Sequence, residues 1–108
     1  MDDVTFAKRS DAALEALFQA LNRASEHHDV EADMNSGALS IEFEEPMAKF
    51  VVSPNSPVKQ IWVSANVRSY KLDWDDDAGE FVLPATGQSL RLLMADAISR
   101  HLGEEVEL

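Results

Sequence analysis

The hydrophobic period of this chain changes twice, and the order of those changes constrains the fold more than any single motif. From about residue 4 to residue 26, Leu14, Leu17, Phe18 and Leu21 recur every three or four positions. That spacing puts them on one side of a helix. Phe6 and Ala24 extend the stripe, and neither glycine nor proline interrupts it. Asp11, Glu15, Gln19, Asn22 and Glu26 share the opposite, exposed stripe.

At Asp29 the period drops to two. Asp29-Val30-Glu31-Ala32-Asp33-Met34 alternates acidic and apolar, the pattern of a half-buried strand with Val30, Ala32 and Met34 inward. Asn35-Ser36-Gly37 supplies a turn. Leu39, Ile41 and Phe43 then alternate with Ser40, Glu42 and Glu44 in a second strand, so the two should form a hairpin. A turn at Glu45-Pro46 leads to a third strand over 49–53, which the prolines of 54–57 should break. A fourth strand is expected over 58–65. Ile61 and Val63 point inward there, and Trp62 points outward with Gln60 and Ser64. Residues 70–74 read as a fifth strand, 75–79 as a tight acidic turn, and 80–83 as a sixth strand ended by Pro84.

Helical spacing returns at about 88–102, through Leu90, Leu93, Met94, Ala97, Ile98 and Leu102. Hydroxyls from Thr86 to Ser89 can cap its start. Arg100 and His101 suit the negative end of its dipole, and Gly103 can end it. Helix, six short strands and helix, joined by tight turns, imply an α+β two-layer sandwich. Its antiparallel sheet carries both helices on one face. The other face, with Trp62, is then open to solvent.

Charge narrows the function. The 108 residues hold 9 basic and 20 acidic side chains, a net charge of −11. No basic stripe exists to displace counterions from nucleic acid or to meet anionic lipid, so cations and basic protein surfaces are the expected partners. Hydrophobic residues make up 45%, enough for a core. Cysteine is absent, which excludes disulfides, thiolate metal sites and thiol nucleophiles. No apolar run approaches a membrane span, and the start of the chain lacks signal-peptide character. A cytoplasmic protein is expected.

No glycine-rich phosphate loop, nucleophile elbow or H-E-x-x-H motif occurs, so no catalytic residue is expected. Carboxylate density is what remains. Glu26, Asp29, Glu31 and Asp33 cluster from the end of the first helix into the first strand, with His27 and His28 beside them and Glu42 and Glu44 on the neighbouring strand. Alternate strand residues lie about 6.6 Å apart, so neighbouring carboxylates can share a hard cation but cannot all ligate one. Such a site suits Fe²⁺, Mn²⁺, Mg²⁺ or Ca²⁺ and binds weakly. The same residues also serve as a solubilising edge. A second group, Asp73, Asp75, Asp76, Asp77 and Glu80, has a conformational reason to be acidic, because aspartates favour turns. Trp62 is of the residue type that anchors interfaces.

One string of residues carries a resemblance. Asn35-Ser36-Gly37 with Leu39, Ile41 and Phe43, then Pro57 through Gln60-Ile61-Trp62, then Ser69-Tyr70 with Asp73, and finally Gly87 with Leu90 and Leu93 resemble the frataxin family in order and spacing. The resemblance runs over about residues 11–103. A second family tryptophan is Phe81 here, and the carboxylates usual on the first helix are replaced by Phe18, Gln19, Asn22 and Arg23. The resemblance implies an iron-binding protein that delivers iron to, or regulates, iron–sulfur cluster assembly. Its partners would be a cysteine desulfurase and an iron–sulfur scaffold protein, with ferroxidase-like iron handling as a family property. The iron ligands would come from Asp11, Glu15, Glu26, His27, His28, Asp29, Glu31, Asp33, Glu42 and Glu44. The partner face would comprise Asn55, Gln60, Trp62 and Tyr70. It also implies one frataxin-like domain over 1–108 and a monomer that iron could assemble further. The competing expectation is an acidic interaction module without metal, such as a secretion chaperone or adaptor. Those are usually dimers with a strand after the last helix, and only the short acidic tail Glu104 to Leu108, whose charge is expected to serve solubility, follows Gly103 here.

Overall fold

Asp2 starts the first helix. In the computed structural model, which describes residues 1–108, its carboxylate accepts a hydrogen bond from the Thr5 N–H at 2.7 Å, and α1 (Asp3–Ala24) follows. That bond holds the Asp2 carboxyl below the ordinary aspartate range. Phe6, Leu14, Leu17, Leu21 and Ala24 form the buried stripe of α1. Six strands follow: β1 (Glu31–Asn35), β2 (Ala38–Glu44), β3 (Met47–Asn55), β4 (Gln60–Ala65), β5 (Arg68–Asp75) and β6 (Glu80–Val82). The chain closes with α2 (Leu90–Leu102). The sheet is an antiparallel meander in the order β1-β2-β3-β4-β5-β6. Both helices pack on one face, as the change of period implies.

Register sorts the side chains. Ile41 lies opposite Phe50, Val52 opposite Val63 and Ile61 opposite Leu72, and all are buried. They meet α1 and α2 in one core with Phe6, Leu14, Leu21, Met94 and Ile98. Phe6 and Phe81 meet edge to face at 5.9 Å, and Trp74 packs on Phe81 at 5.2 Å. Phe81 thus sits in the core. Ser89 caps α2 through the Leu92 N–H, and Gly103, with φ +70°, ends it in the left-handed conformation that glycine adopts without strain.

Four expectations are corrected by the structure. β1 begins at Glu31, so Asp29 is not a strand residue sharing a face with Glu31 and Asp33. Its carboxylate instead accepts the N–H groups of Glu44 and Glu45 at 3.1 and 2.8 Å, which holds the β2–β3 turn. β3 runs through Pro54 to Asn55. Its pairing with β2 ends at Val52, so Pro54 has a strand neighbour on one side only, where a missing N–H is tolerated. A 3₁₀ turn at Ser56–Val58 and a left-handed Lys59 then delay β4 to Gln60. Finally, the tail after Gly103 is not merely a solvated acidic end. Val106 is 3% exposed, and its N–H donates to Ser99 Oγ at 2.9 Å while that hydroxyl donates to the Val106 carbonyl. The tail doubles back along α2.

The β4–β5 turn has no glycine and uses Asn66 and Val67 at φ 51° and 58°. Paired positive φ values match the turn that suits the twist of a two-residue hairpin, but a β-branched residue is strained there. Asn66 offsets part of this by donating to the Ala97 carbonyl at 3.1 Å, tying the hairpin to α2.

Candidate functional site

The open face of the sheet presents two distinct surfaces. At the β1–β2 edge, alternation turns Glu31, Asp33, Glu42 and Glu44 outward, because their neighbours Ala32, Ile41 and Phe43 face the helices. The register sets Glu31 directly opposite Glu42, and Glu42 opposite Lys49. Side chains so placed have Cβ atoms about 5 Å apart, and like charges there repel. Asp29, Glu31, Glu42 and Glu44, with His28 at one end and Met47 and Lys49 at the other, line an open groove of about 800 Å³. No three histidine or carboxylate side chains converge as a ready metal cage. The donor set is hard oxygen, of the kind that holds a cation which keeps most of its waters.

The remaining proposed ligands lie elsewhere. Asp11 and Glu15 sit on the exposed stripe of α1, and Glu15 accepts a hydrogen bond from Gln19 at 2.9 Å. Glu26 is exposed just past the end of α1. His27 lines a separate hollow with Arg23 and the tail, and His28 reaches Glu104 at 3.1 Å. The structure therefore brings together Asp29, Glu31, Glu42, Glu44 and His28. It does not bring Asp11, Glu15, Glu26, His27 or Asp33 into that groove; Asp33 faces outward further along β1, opposite Ser40. The second acidic group is a turn device. Asp75 accepts the Asp77 N–H at 2.9 Å, and Asp76 accepts the Trp74 indole N–H at 2.8 Å.

The second surface is the centre of the open face. Trp62 is 38% exposed, with Ser53 and Lys71 opposite it on either side. Its indole N–H donates to Gln60 at 3.0 Å, and the Gln60 amide donates to Asp73 at 3.0 Å. The Lys71 ammonium lies 4.9 Å from the indole centre, a cation–π contact. Asn55 is paired with Gln60 on the same face. Tyr70 is not there. Lys71 faces Trp62, so Tyr70, one residue earlier, pairs with Val63 and packs against the core. Met47, Lys49 and Lys71 belong to these surfaces and were absent from the sequence reading. Counting parity outward from Glu42 and Trp62 finds Lys49 and Lys71 once the strand pairing is known.

These features define an α+β sandwich with an acidic edge and a tryptophan-centred sheet face. The model of the frataxin-like domain family matches residues 1–104. The chain belongs to that family. It is 30% identical over 99 residues to the iron–sulfur cluster assembly protein CyaY of Tolumonas auensis, covering 90% of this chain and 92% of that one. It is 32% identical over 79 residues to the protein of the same name from Azotobacter vinelandii, covering 73% and 71%. Among solved structures, the frataxin of Psychromonas ingrahamii superposes with a TM-score of 0.85 at 21% identity, over 99% of this chain and 97% of that chain. A trimeric frataxin from Saccharomyces cerevisiae gives 0.73 at 22% identity, over 89% and 80%. At such identities these two structures speak to the fold. No helix is long and apolar enough to cross a membrane.

Proposed function

We propose that this chain, as one frataxin-like domain over 1–108, serves iron–sulfur cluster assembly in the cytoplasm. It takes Fe²⁺ as cargo at the acidic edge and docks a partner on the open sheet face. The observation that supports this most is the opposed Glu31–Glu42 pair, against which Lys49 is the single registered cation, in a groove shared with Glu44. A divalent cation there relieves the like-charge repulsion without needing a closed cage. Weak, water-retaining binding suits cargo that must be released.

The partner side follows from the second surface. A cysteine desulfurase carrying a basic patch would be steered by the acidic edge over a Debye length, about 8 Å at physiological salt. The scaffold protein would meet the prearranged Gln60–Trp62 face, where a tryptophan held by hydrogen bonds loses little further freedom on binding. These steps use oxygen ligands and docking surfaces, and no catalytic constellation is required of the chain.

The test is a reconstitution of cluster formation from Fe²⁺, cysteine, desulfurase and scaffold, followed by absorbance. Adding this chain is expected to change the rate, and the Glu31→Gln/Glu42→Gln double variant is expected to lose most of that change. An unchanged rate, with no binding to either partner, would overturn the proposal.

A further inference from the structure

The seam between α1 and α2 is half filled. At its C-terminal end the chain's own tail lies in it. Leu108 lines a hollow with Ala20, Arg23 and Ala24, Val106 is buried against Ser99, and Glu104 reaches His28. One helical turn earlier on α1 the filling stops. Ala12 and Ala16, spaced by four like Ala16 and Ala20, leave an open groove of about 570 Å³. Its floor is Ala13, Leu17, Phe81 and Leu90. Alanines in place of larger side chains create that space.

Charge around the open half runs against the rest of the molecule. Lys8, Arg9 and Arg91 line it, three of the nine basic residues in a chain of net charge −11, and Glu80 is the one acid among its lining residues. Arg9 is engaged, stacked 4.2 Å from the Trp74 ring centre and 4.0 Å from Asp76. Lys8 and Arg91 are exposed and have no carboxylate partner. Arg91 also stands in the first turn of α2, where the helix dipole disfavours positive charge. An anion brought to this groove meets two unpaired cations and an apolar floor together.

We propose that the open half of the α1–α2 seam is a docking groove for an extended acidic–apolar segment of a partner protein. The tail shows the chemistry that the seam accepts. In Glu104-Glu105-Val106-Glu107-Leu108, apolar side chains enter and acids flank them. A partner segment of the same alternation would occupy the open half of the seam. One apolar side chain would lie over Ala12 and Ala16, with carboxylates on Lys8 and Arg91. This surface lies on the helical layer, away from the acidic edge and the Trp62 face, so it is independent of the function proposed above.

The experiment is an amide NMR titration of the full chain with an acetylated, amidated peptide EEVELEEVEL, with KKVKLKKVKL as control. Saturable shifts are expected at Lys8, Ala12, Ala16 and Arg91 and at the Trp74 indole, with none from the basic peptide. Lys8→Glu/Arg91→Glu should weaken binding by about tenfold or more, as reversal of two exposed ion pairs implies. Ala12→Phe, which fills the groove with an apolar group, should abolish binding while the remaining spectrum stays folded. No saturable shift at these positions overturns the proposal. Shifts confined to Ala20, Ala24 and Ser99 also overturn it, since they mark exchange with the chain's own tail. So does an identical pattern from inorganic phosphate or decanoate without one from the peptide, which marks a small-anion site.

Discussion

The acidic edge and the tryptophan face lie on the same side of one sheet, yet they are built in opposite ways. At the edge, Glu31 and Glu42 oppose each other with no bond between them, and only Lys49 provides a local positive charge. At the centre, Trp62, Gln60 and Asp73 form a continuous hydrogen-bonded chain, with Lys71 against the indole. The edge is electrostatically unsettled, and Glu31 and Glu42 are not tied to each other. It can attract at range and adapt to a hydrated ion. The centre is tied together by these contacts, which suits a short-range docking role on the proposed function. On the proposed function, the fold places attraction and recognition a few strands apart on one sheet.

Each surface can be disabled separately by substitution. The largest effect is expected from Trp62→Ala. Affinity for the scaffold should fall by about thirtyfold, the loss of about 2 kcal/mol typical of a central aromatic anchor, while stability changes little. Calorimetric binding beside a urea melt checks both. Asp29→Ala comes next. It removes the acceptor for two turn N–H groups and should lower stability by about 1.5 kcal/mol in urea, with a smaller effect on cation binding than changes at Glu31 or Glu42. That outcome separates a carboxylate that holds the fold from those that face a ligand.

Smaller effects sharpen the contrast. Val67→Gly relieves a β-branched residue in the left-handed region at the tip of the hairpin that carries Trp62, and should raise stability by about 1 kcal/mol. Glu31→Gln removes like-charge repulsion from the edge and should raise stability by a few tenths of a kcal/mol while weakening cation binding. A loss of stability in that variant would mean that Glu31 has a structural partner after all.

The layers of the fold were legible in the sequence because hydrophobic period reports local geometry directly. The stripe through Leu14, Leu17 and Leu21 and the alternation through Leu39, Ile41 and Phe43 each point at the core, and each is buried. Trp62 was legible for the same reason, since Gln60 and Ser64 share its side. What pairing and tertiary approach decide was not. Tyr70 falls on the core side because Lys71, not Tyr70, is registered with Trp62. Asp29 serves a turn fifteen residues on, a distance no local pattern encodes. The tail looked like solvated charge, and only the return to Ser99 shows Val106 as apolar filling. The groove beside Ala12 and Ala16 is space rather than a residue pattern, so it needed both helices in place.

On the proposed function, a cation reads the edge rather than the total charge of −11. This is tested most directly by anaerobic titration of Fe²⁺ into the isotope-labelled chain, following every amide. Broadening is expected to centre on Glu31, Glu42 and Glu44, with the Trp62 and Lys71 signals unchanged and the effect lost in Glu31→Gln/Glu42→Gln. Broadening centred on Asp75–Asp77, or spread evenly over all exposed carboxylates, would contradict it.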